Sequence, residues 1–211
     1  MRPSCVRTII LVKVFAVTQT ATRDQMVSAA DDLFYRQGYK HTSFADIADA
    51  VRISRGSFYH HFKSKDEILD AVILKRLADT QAMFDKWEKK QSPADRIKCY
   101  IQIVVSNWNK IRYFGCPVGT LSTELAKLNH ASHDDARAIF ALFREWLALQ
   151  FRELGFAKDA DAHAMYVLAW SQGVATLANA FQDERFVRRE VRGICAWLDD
   201  LLADAAAGRR S

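Results

Sequence analysis

The sequence predicts an all-α protein in two unequal parts, and three observations carry that prediction. From Thr22 onward apolar residues recur at three- and four-residue steps in nearly every segment. The residues between those segments are helix caps, Gly and Pro, which start and stop helices. No stretch alternates apolar and polar residues as a half-buried strand would. At 211 residues the chain exceeds the roughly 100 to 150 of a common single domain, so a small domain joined to a larger one fits its length. Half of the residues are hydrophobic, with 5 Trp and 13 Phe, which is enough for a sizeable core and too apolar for a disordered chain.

The elements follow in order. Residues 1–21 read as a disordered and dispensable extension: Ile9 to Val17 (IILVKVFAV), after Arg2 and Arg7, imitates a signal-peptide core, but Lys13 interrupts it and no small-x-small cleavage site follows. The run is also too short to span a bilayer, so no membrane is expected as a partner. Thr22 with Gln25 makes a capping-box start for a helix bearing Met26, Ala30, Leu33 and Phe34, and Gly38 stops it. A short helix runs from its cap Ser43 to about Val51, and a second from Ser54 to near Phe62. Ser64 caps a longer one carrying Ile68, Leu69, Val72 and Leu77. Ser92 and Pro93 open a helix with Ile97, Ile101, Val104, Val105 and Trp108 on one stripe, and a break falls at Tyr113 to Pro117. Ser132 opens a long helix with Ile139, Phe140, Phe143, Leu147, Phe151 and Leu154, closed by Gly155. The boundaries expected are 22–67 for a small N-terminal domain, 68–205 for a larger C-terminal domain, and 206–211 for a frayed tail.

Charge placement narrows the function. The formal net charge of +5 allows a polyanion partner. Between Arg52 and Lys65 stand Arg52, Arg55, Lys63, Lys65, His60 and His61, with no Asp or Glu among them. Cys5, Cys99, Cys116 and Cys195 form no CxxC pair and no Cys/His metal spacing, which argues against a disulfide scaffold or a zinc site and for a reducing cytoplasm. Neighbours on a helix point about 100° apart, so His60 and His61 read as DNA-facing or solvated and not as metal ligands. No cofactor and no metal is expected.

The stretch Thr42 to Leu69 (TSFADIADAVRISRGSFYHHFKSKDEIL) has a mechanical reading as a helix-turn-helix: a two-turn helix, a tight turn at Val51 to Ile53 and a second short helix. Ser54 caps the second helix, whose N-terminal half projects Arg55, Ser57, Tyr59 and His60 toward a major groove. Gly56 lets the backbone approach DNA closely. Thr42 and Lys65, each at a helix start, are placed to hold phosphates on either side. Tyr59 reads alternatively as a core-edge aromatic, whereas Phe58 and Phe62 point into the small core.

This pattern resembles that of the TetR family, in which a Thr precedes an Ile-Ala pair and then a Ser-x-Gly-x-x-Tyr-x-x-Phe-x-x-Lys run. Thr42, Ile47, Ala48, Ser54, Gly56, Tyr59, Phe62 and Lys65 all match. The resemblance implies three DNA-binding helices followed by about six ligand and dimer helices, and a repressor released from a palindromic operator by a small molecule. One residue departs from it: the turn position usually held by Gly is Arg52, where a positive φ costs a non-Gly residue about 1 kcal/mol and a basic side chain gains reach to a phosphate.

Behind the reader, aromatic residues exceed what a compact core needs, and pockets between helices are the usual ligand sites in bundles. An apolar or aromatic effector is expected among Val104, Val105, Trp108, Phe114, Cys116, Leu121, Phe143, Trp146 and Trp170, each of which reads singly as core packing. The segment FGCPVGTLSTEL resembles the Gly-Cys stretch of a TetR subgroup that includes the repressor of N-ethylmaleimide reductase, and this implies Cys116 as a sensor of electrophiles or oxidants. Just before a helix started by Pro117, its thiolate would be favoured by the helix N-terminus; the alternative is an inert cysteine lining the pocket. Glu124 reads as a helix-surface charge.

Two terminal stripes, Val167, Trp170, Val174, Leu177 and Phe181, then Val187, Val191, Ile194, Leu198 and Leu201, read as helix-packing seams. Val167, Val174, Leu177, Phe181, Val191, Ile194, Leu198 and Leu201 are the expected homodimer interface, which would set two recognition helices about 34 Å apart on an operator. Two other classes compete. Cys116 with His130, His133 or His163 suggests a cysteine enzyme, but no Gly-rich phosphate loop or nucleophile elbow accompanies them. A ligand-binding or dimerisation protein without DNA binding is discouraged by the intact basic patch.

Overall fold

The computed structural model describes residues 22–90 and 92–208, so the extension 1–21 and the last three residues of the tail lie outside the described residues. Regular structure among the described residues is wholly helical. α1 covers residues 22–37, followed by α2 (Phe44–Ala50), α3 (Arg55–His61) and α4 (Lys65–Trp87). Then come α5 (Pro93–Ile101), α6 (Ile103–Ser106), α7 (Trp108–Phe114), α8 (Pro117–Lys127), α9 (His133–Glu153), α10 (Ala160–Phe181) and α11 (Glu184–Gly208). The chain divides into two compact units between Lys75 and Arg76, inside α4 and not at its start.

Caps decide where the short helices begin. Ser43 Oγ accepts from Asp46 N at 3.2 Å while the Asp46 carboxylate accepts from Ser43 N at 2.7 Å, a reciprocal capping box. The backbone N–H of Ser43 holds the Asp46 carboxyl below its ordinary value. Ser54 Oγ accepts from Ser57 N at 3.1 Å, and Ser64 Oγ accepts from Glu67 N at 3.1 Å. In the first unit Met26, Ala30, Ile47, Phe62, Ile68, Leu69 and Val72 are fully buried, with Phe58 and Phe34 beside them.

The second unit departs from the sequence expectation in three places. The single helix expected from Ser92 is broken into α5, α6 and α7 at Gln102 and Asn107. Asn107 has φ −102° and ψ 13°, and its side-chain amide donates to Ile103 O at 3.0 Å, a local bond that competes with the helical ladder. The tail expected to fray from residue 206 is helical through Gly208.

The third departure concerns the two terminal stripes. Val167, Val174, Val191, Ile194 and Leu198, expected at a dimer interface, are 0–4% exposed within the single chain. They belong to one core with Phe84, Ile97, Tyr100, Phe143, Trp146 and Phe151, because α10 packs on α7, α9 and α11, and α11 on α5 and α6. Periodicity reports that a helix has a buried face but not what buries it. The Phe84 and Trp146 rings stack at 4.6 Å near the middle of this core. The outward residues of the same expectation are Leu177, 42% exposed, and Phe181, 71% exposed; Leu201 is half-buried.

Candidate nucleic-acid interface

The turn joining α2 to α3 is a Schellman motif. Ile53 N donates to Ala48 O and Arg52 N to Asp49 O, both at 3.1 Å, which satisfies the last carbonyls of α2. Such a motif places its central residue in the left-handed region, and Arg52 is there with φ 56°. An L side chain at that angle costs about 1 kcal/mol that Gly would not. In return the turn presents an exposed arginine two residues before the cap of α3.

Along α3 the two faces separate cleanly. Phe58 and Phe62 are 1% and 0% exposed and form the small core, with Phe44 edge-on to Phe58 at 4.9 Å. On the other side Ser54, Gly56, Tyr59 and His60 are exposed and Ser57 and His61 are half-buried. Arg55 occupies the first helical position. Tyr59 is 48% exposed, and its ring is steadied edge-on by Phe44 at 5.6 Å, which places it at the edge of the small core. A Cβ added to Gly56 would meet nothing closer than Ser54 Oγ at 3.9 Å. The chain itself therefore gives no reason for a glycine there, and a surface that must come close to a partner does.

Two residues expected to hold phosphates are committed elsewhere. Thr42 is 1% exposed and its hydroxyl donates to Gly38 O at 2.7 Å. Lys65 Nζ donates to Tyr39 O at 2.9 Å and to Thr42 O at 3.1 Å, and lies 4.2 Å from the centre of the Tyr39 ring. Together they close the loop between α1 and α2 onto the start of α4, where the Tyr39 hydroxyl also donates to Asp66. The physical reason is the loop itself: its carbonyls have no helical partner, and a buried carbonyl without one is costly. The signal for this staple is the aromatic Tyr39, which sequence reasoning passed over.

A model of the bacterial regulatory proteins of the tetR family matches residues 26–72, and one of the LmrA/YxaF-like transcriptional regulator C-terminal domain matches residues 93–191. The chain belongs to the TetR family of transcriptional regulators. An uncharacterized HTH-type transcriptional regulator in the lacX 3' region of Lactococcus lactis subsp. lactis is 29% identical over 167 residues, 77% of this chain and 85% of its own length. The HTH-type transcriptional repressor DhaR of Mycobacterium sp. (strain GP1) is 25% identical over 133 residues, 62% of this chain and 64% of DhaR. A TetR-family regulator from Agrobacterium tumefaciens has the same fold, with a TM-score of 0.74 at 23% identity, over 84% of this chain and 97% of that one. These relatives regulate transcription and are not enzymes, which disposes of the cysteine-enzyme alternative.

The C-terminal match is to the LmrA/YxaF-like domain. The reduced form of E. coli NemR shares the fold, with a TM-score of 0.70 over 82% of this chain and 95% of its own, but at 16% identity it shows the fold alone. The expected resemblance to an electrophile-sensing subgroup is therefore not carried by these comparisons. In this TetR-family chain Cys116 caps α8, its Sγ accepting from Gly119 N at 3.4 Å, and the side chain is half-buried.

Of the other residues expected around an effector, Val104, Trp108, Leu121, Phe143 and Trp146 are 3–8% exposed and filled in as core. Trp146 is further held by Glu88, whose carboxylate accepts from its indole N–H at 3.2 Å. Val105, Phe114 and Trp170 are half-buried like Cys116. Between these groups lies a polar feature the sequence did not signal. The Tyr100 hydroxyl shares a 2.8 Å hydrogen bond with Ser171 Oγ, and burial holds that phenol far above its ordinary value, so it stays neutral. Arg112, 4.5 Å from the centre of the Tyr113 ring, keeps its Nε buried without a hydrogen-bond partner. A groove of 840 Å³ runs along the outer side of α9 and α10, floored by Ala141, Ala148, Met165 and Leu168 and edged by Arg137, Arg144 and Arg152. It contains none of the residues expected from the sequence. Among the described residues no helix is long and apolar enough to cross a membrane, and no group of three or more His, Cys, Asp or Glu could hold a metal.

Proposed function

We propose that this TetR-family chain represses transcription by binding a palindromic operator as a homodimer, with α3 in the major groove, and lets go when a small apolar or aromatic molecule enters the second unit. One observation carries the reading. The exposed side of the turn and of α3 offers Arg52, Gly56, Tyr59 and His60, and the segment from Arg52 to Lys65 contains no carboxylate to repel a phosphate backbone. Arg52, Arg55, Ser57, Tyr59 and His60 form the contact set; Thr42 and Lys65 support it from behind as positioning residues. The effector enters beside the half-buried Val105, Phe114, Cys116 and Trp170, where packing is incomplete, and must favour the conformation that does not match operator spacing.

A mobility shift with the gene's own upstream DNA, run as a salt series, tests the reading. A shift that steepens at low salt and disappears in Tyr59→Ala is expected; wild-type affinity in that variant would refute the contact set. The position of Cys116 Sγ at the start of α8 favours a second reading, release through alkylation or oxidation of this thiol. Adding an electrophile to wild type and to Cys116→Ser separates the two: release of wild type alone supports the thiol, release of neither assigns induction to reversible binding, and release of both refutes the role of Cys116 and moves the reactive group elsewhere.

A further inference from the structure

Arg112 stands in the last turn of α7 and is half-buried. Among the described residues its Nε is the one buried side-chain nitrogen or oxygen without a hydrogen-bond partner, and no carboxylate pairs with the guanidinium. What surrounds it is aromatic: the guanidinium carbon lies 4.5 Å from the centre of the Tyr113 ring and 6.0 Å from that of Trp108. A ring face attracts the charge but does not replace an acceptor oxygen for an N–H. Tyr113 is 53% exposed and Trp108 is 8% exposed, so the cation stands where the outside of the second unit gives way to its core. Phe114, beside which the effector is proposed to enter, is the ring neighbour of Tyr113 at 6.1 Å.

Comparison within the unit makes this arginine stand out. Arg76 and Arg96 are also withdrawn from water, and both have acceptors. Arg76 donates to Pro117 O at 2.6 Å, and Arg96 donates to Gln150 at 3.2 Å and to Glu153 at 3.0 Å. The backbone of Arg112 is satisfied as well, since the Asn179 amide of α10 donates to its carbonyl at 3.2 Å. The chain thus fixes the position of this residue and leaves its charged end unmatched. A buried donor left unpaired is destabilising, and in a folded protein it calls for a partner from outside the chain.

We infer that Arg112 binds the carboxylate of the effector, and that the effector is a monocarboxylic acid with an apolar or aromatic body. Nε–H and one terminal N–H of a guanidinium point in parallel and match the two oxygens of a carboxylate. One cation balances one negative charge, whereas a phosphate dianion would keep a charge uncompensated beside apolar walls. The rings of Trp108 and Tyr113 offer those walls to an arene or an alkyl chain. Partial withdrawal from water strengthens the pair, because the field between the two charges is screened less. The inference rests on the effector reading proposed above and names the class of molecule.

Titration calorimetry on the full-length protein tests it, with phenylacetate, phenylbutyrate and octanoate each set beside its primary amide. Wild type should bind at least one acid about tenfold or more tighter than the matching amide. Arg112→Met should lose that preference and, with no acid present, melt at or above the wild-type temperature, because it removes an unpaired donor from a half-buried place. Arg112→Lys keeps the charge without the fork and should retain only part of the preference. Three results would overturn the inference: no acid bound by wild type at millimolar concentration, acid and amide bound equally, or an unchanged preference in Arg112→Met. A lowered melting temperature together with that unchanged preference would assign Arg112 to packing alone. Mobility shifts with the same acids keep the two readings apart. An acid that binds through Arg112 and leaves the operator occupied would uphold the site and refute release by this effector.

Discussion

The two units of this protein encode their structure in different ways. In the first, single residues have single jobs: Ser43, Ser54 and Ser64 each cap one helix, Arg52 turns the chain, and Phe58 and Phe62 fill one small core. In the second, the same kinds of apolar residue recur along every helix, and several equally periodic faces compete to be the core. A face on α10 can be covered by its own chain or by another, and hydrophobic period is blind to the difference. The lesson is that local chemistry, where it is specific, places side chains better than amphipathicity does.

The sharpest way to break this contrast is to put a charge on each of two residues the sequence treated alike. Ile194→Glu should cost on the order of 4 kcal/mol, because it buries a carboxylate among apolar neighbours, and urea unfolding should show most of the fold lost. Leu177→Glu, at a residue 42% exposed, should leave unfolding close to wild type and appear only as a weaker dimer by sedimentation. Equal effects in the two assays would mean that the inward and outward faces of α10 and α11 have been confused.

Within the reader, Lys65→Met removes the ammonium that closes the Tyr39 and Thr42 carbonyls and should cost roughly 1.5–3 kcal/mol of stability. An unchanged melting temperature with weakened operator binding would return Lys65 to the phosphate contacts. Tyr59→Ala should reduce operator affinity by about 1–3 kcal/mol while changing stability by about 0.5 kcal/mol or less, as mobility shift and calorimetry would show. The smallest expected effect is a gain: Arg52→Gly relieves a left-handed arginine and should stabilise the first unit by about 1 kcal/mol. It should also lower operator affinity with a shallower salt dependence, by removing one cation. Loss of stability in that variant would show that Arg52 has a partner worth more than the strain.

Much of the fold was legible because it depends on punctuation. The starts of α2, α3, α4, α5 and α8 follow from Ser, Pro and Cys-Pro signals, and the stop at Gly155 from a residue that has φ 97°. The division of the helix at Gln102 and Asn107 was not legible, since neither residue forbids a helix, and at Asn107 the break comes with a side-chain bond to Ile103. The same limit applies to Thr42 and Lys65. Both stand at helix starts with the right chemistry for phosphate, and only the path of the loop after Gly38 shows that they are turned inward. Arg112 was invisible for a related reason: its partnerless Nε is a property of packing, not of spacing.

The outer face of α10, a helix without Asp, Glu, Lys or Arg from Ala162 to Gln182, bears finally on gene dosage. A surface that is apolar over most of its length favours pairing, yet pairing obeys mass action. While chains are scarce the number of proposed dimers grows as the square of the number of chains, so occupancy of an operator that accepts only dimers rises late and then steeply. A cell in which the chain concentration falls by half keeps about a quarter of its dimers. Repression built on this helix would therefore act less like a dimmer than like a threshold, set by how tightly the face of Tyr166, Gly173 and Leu177 closes.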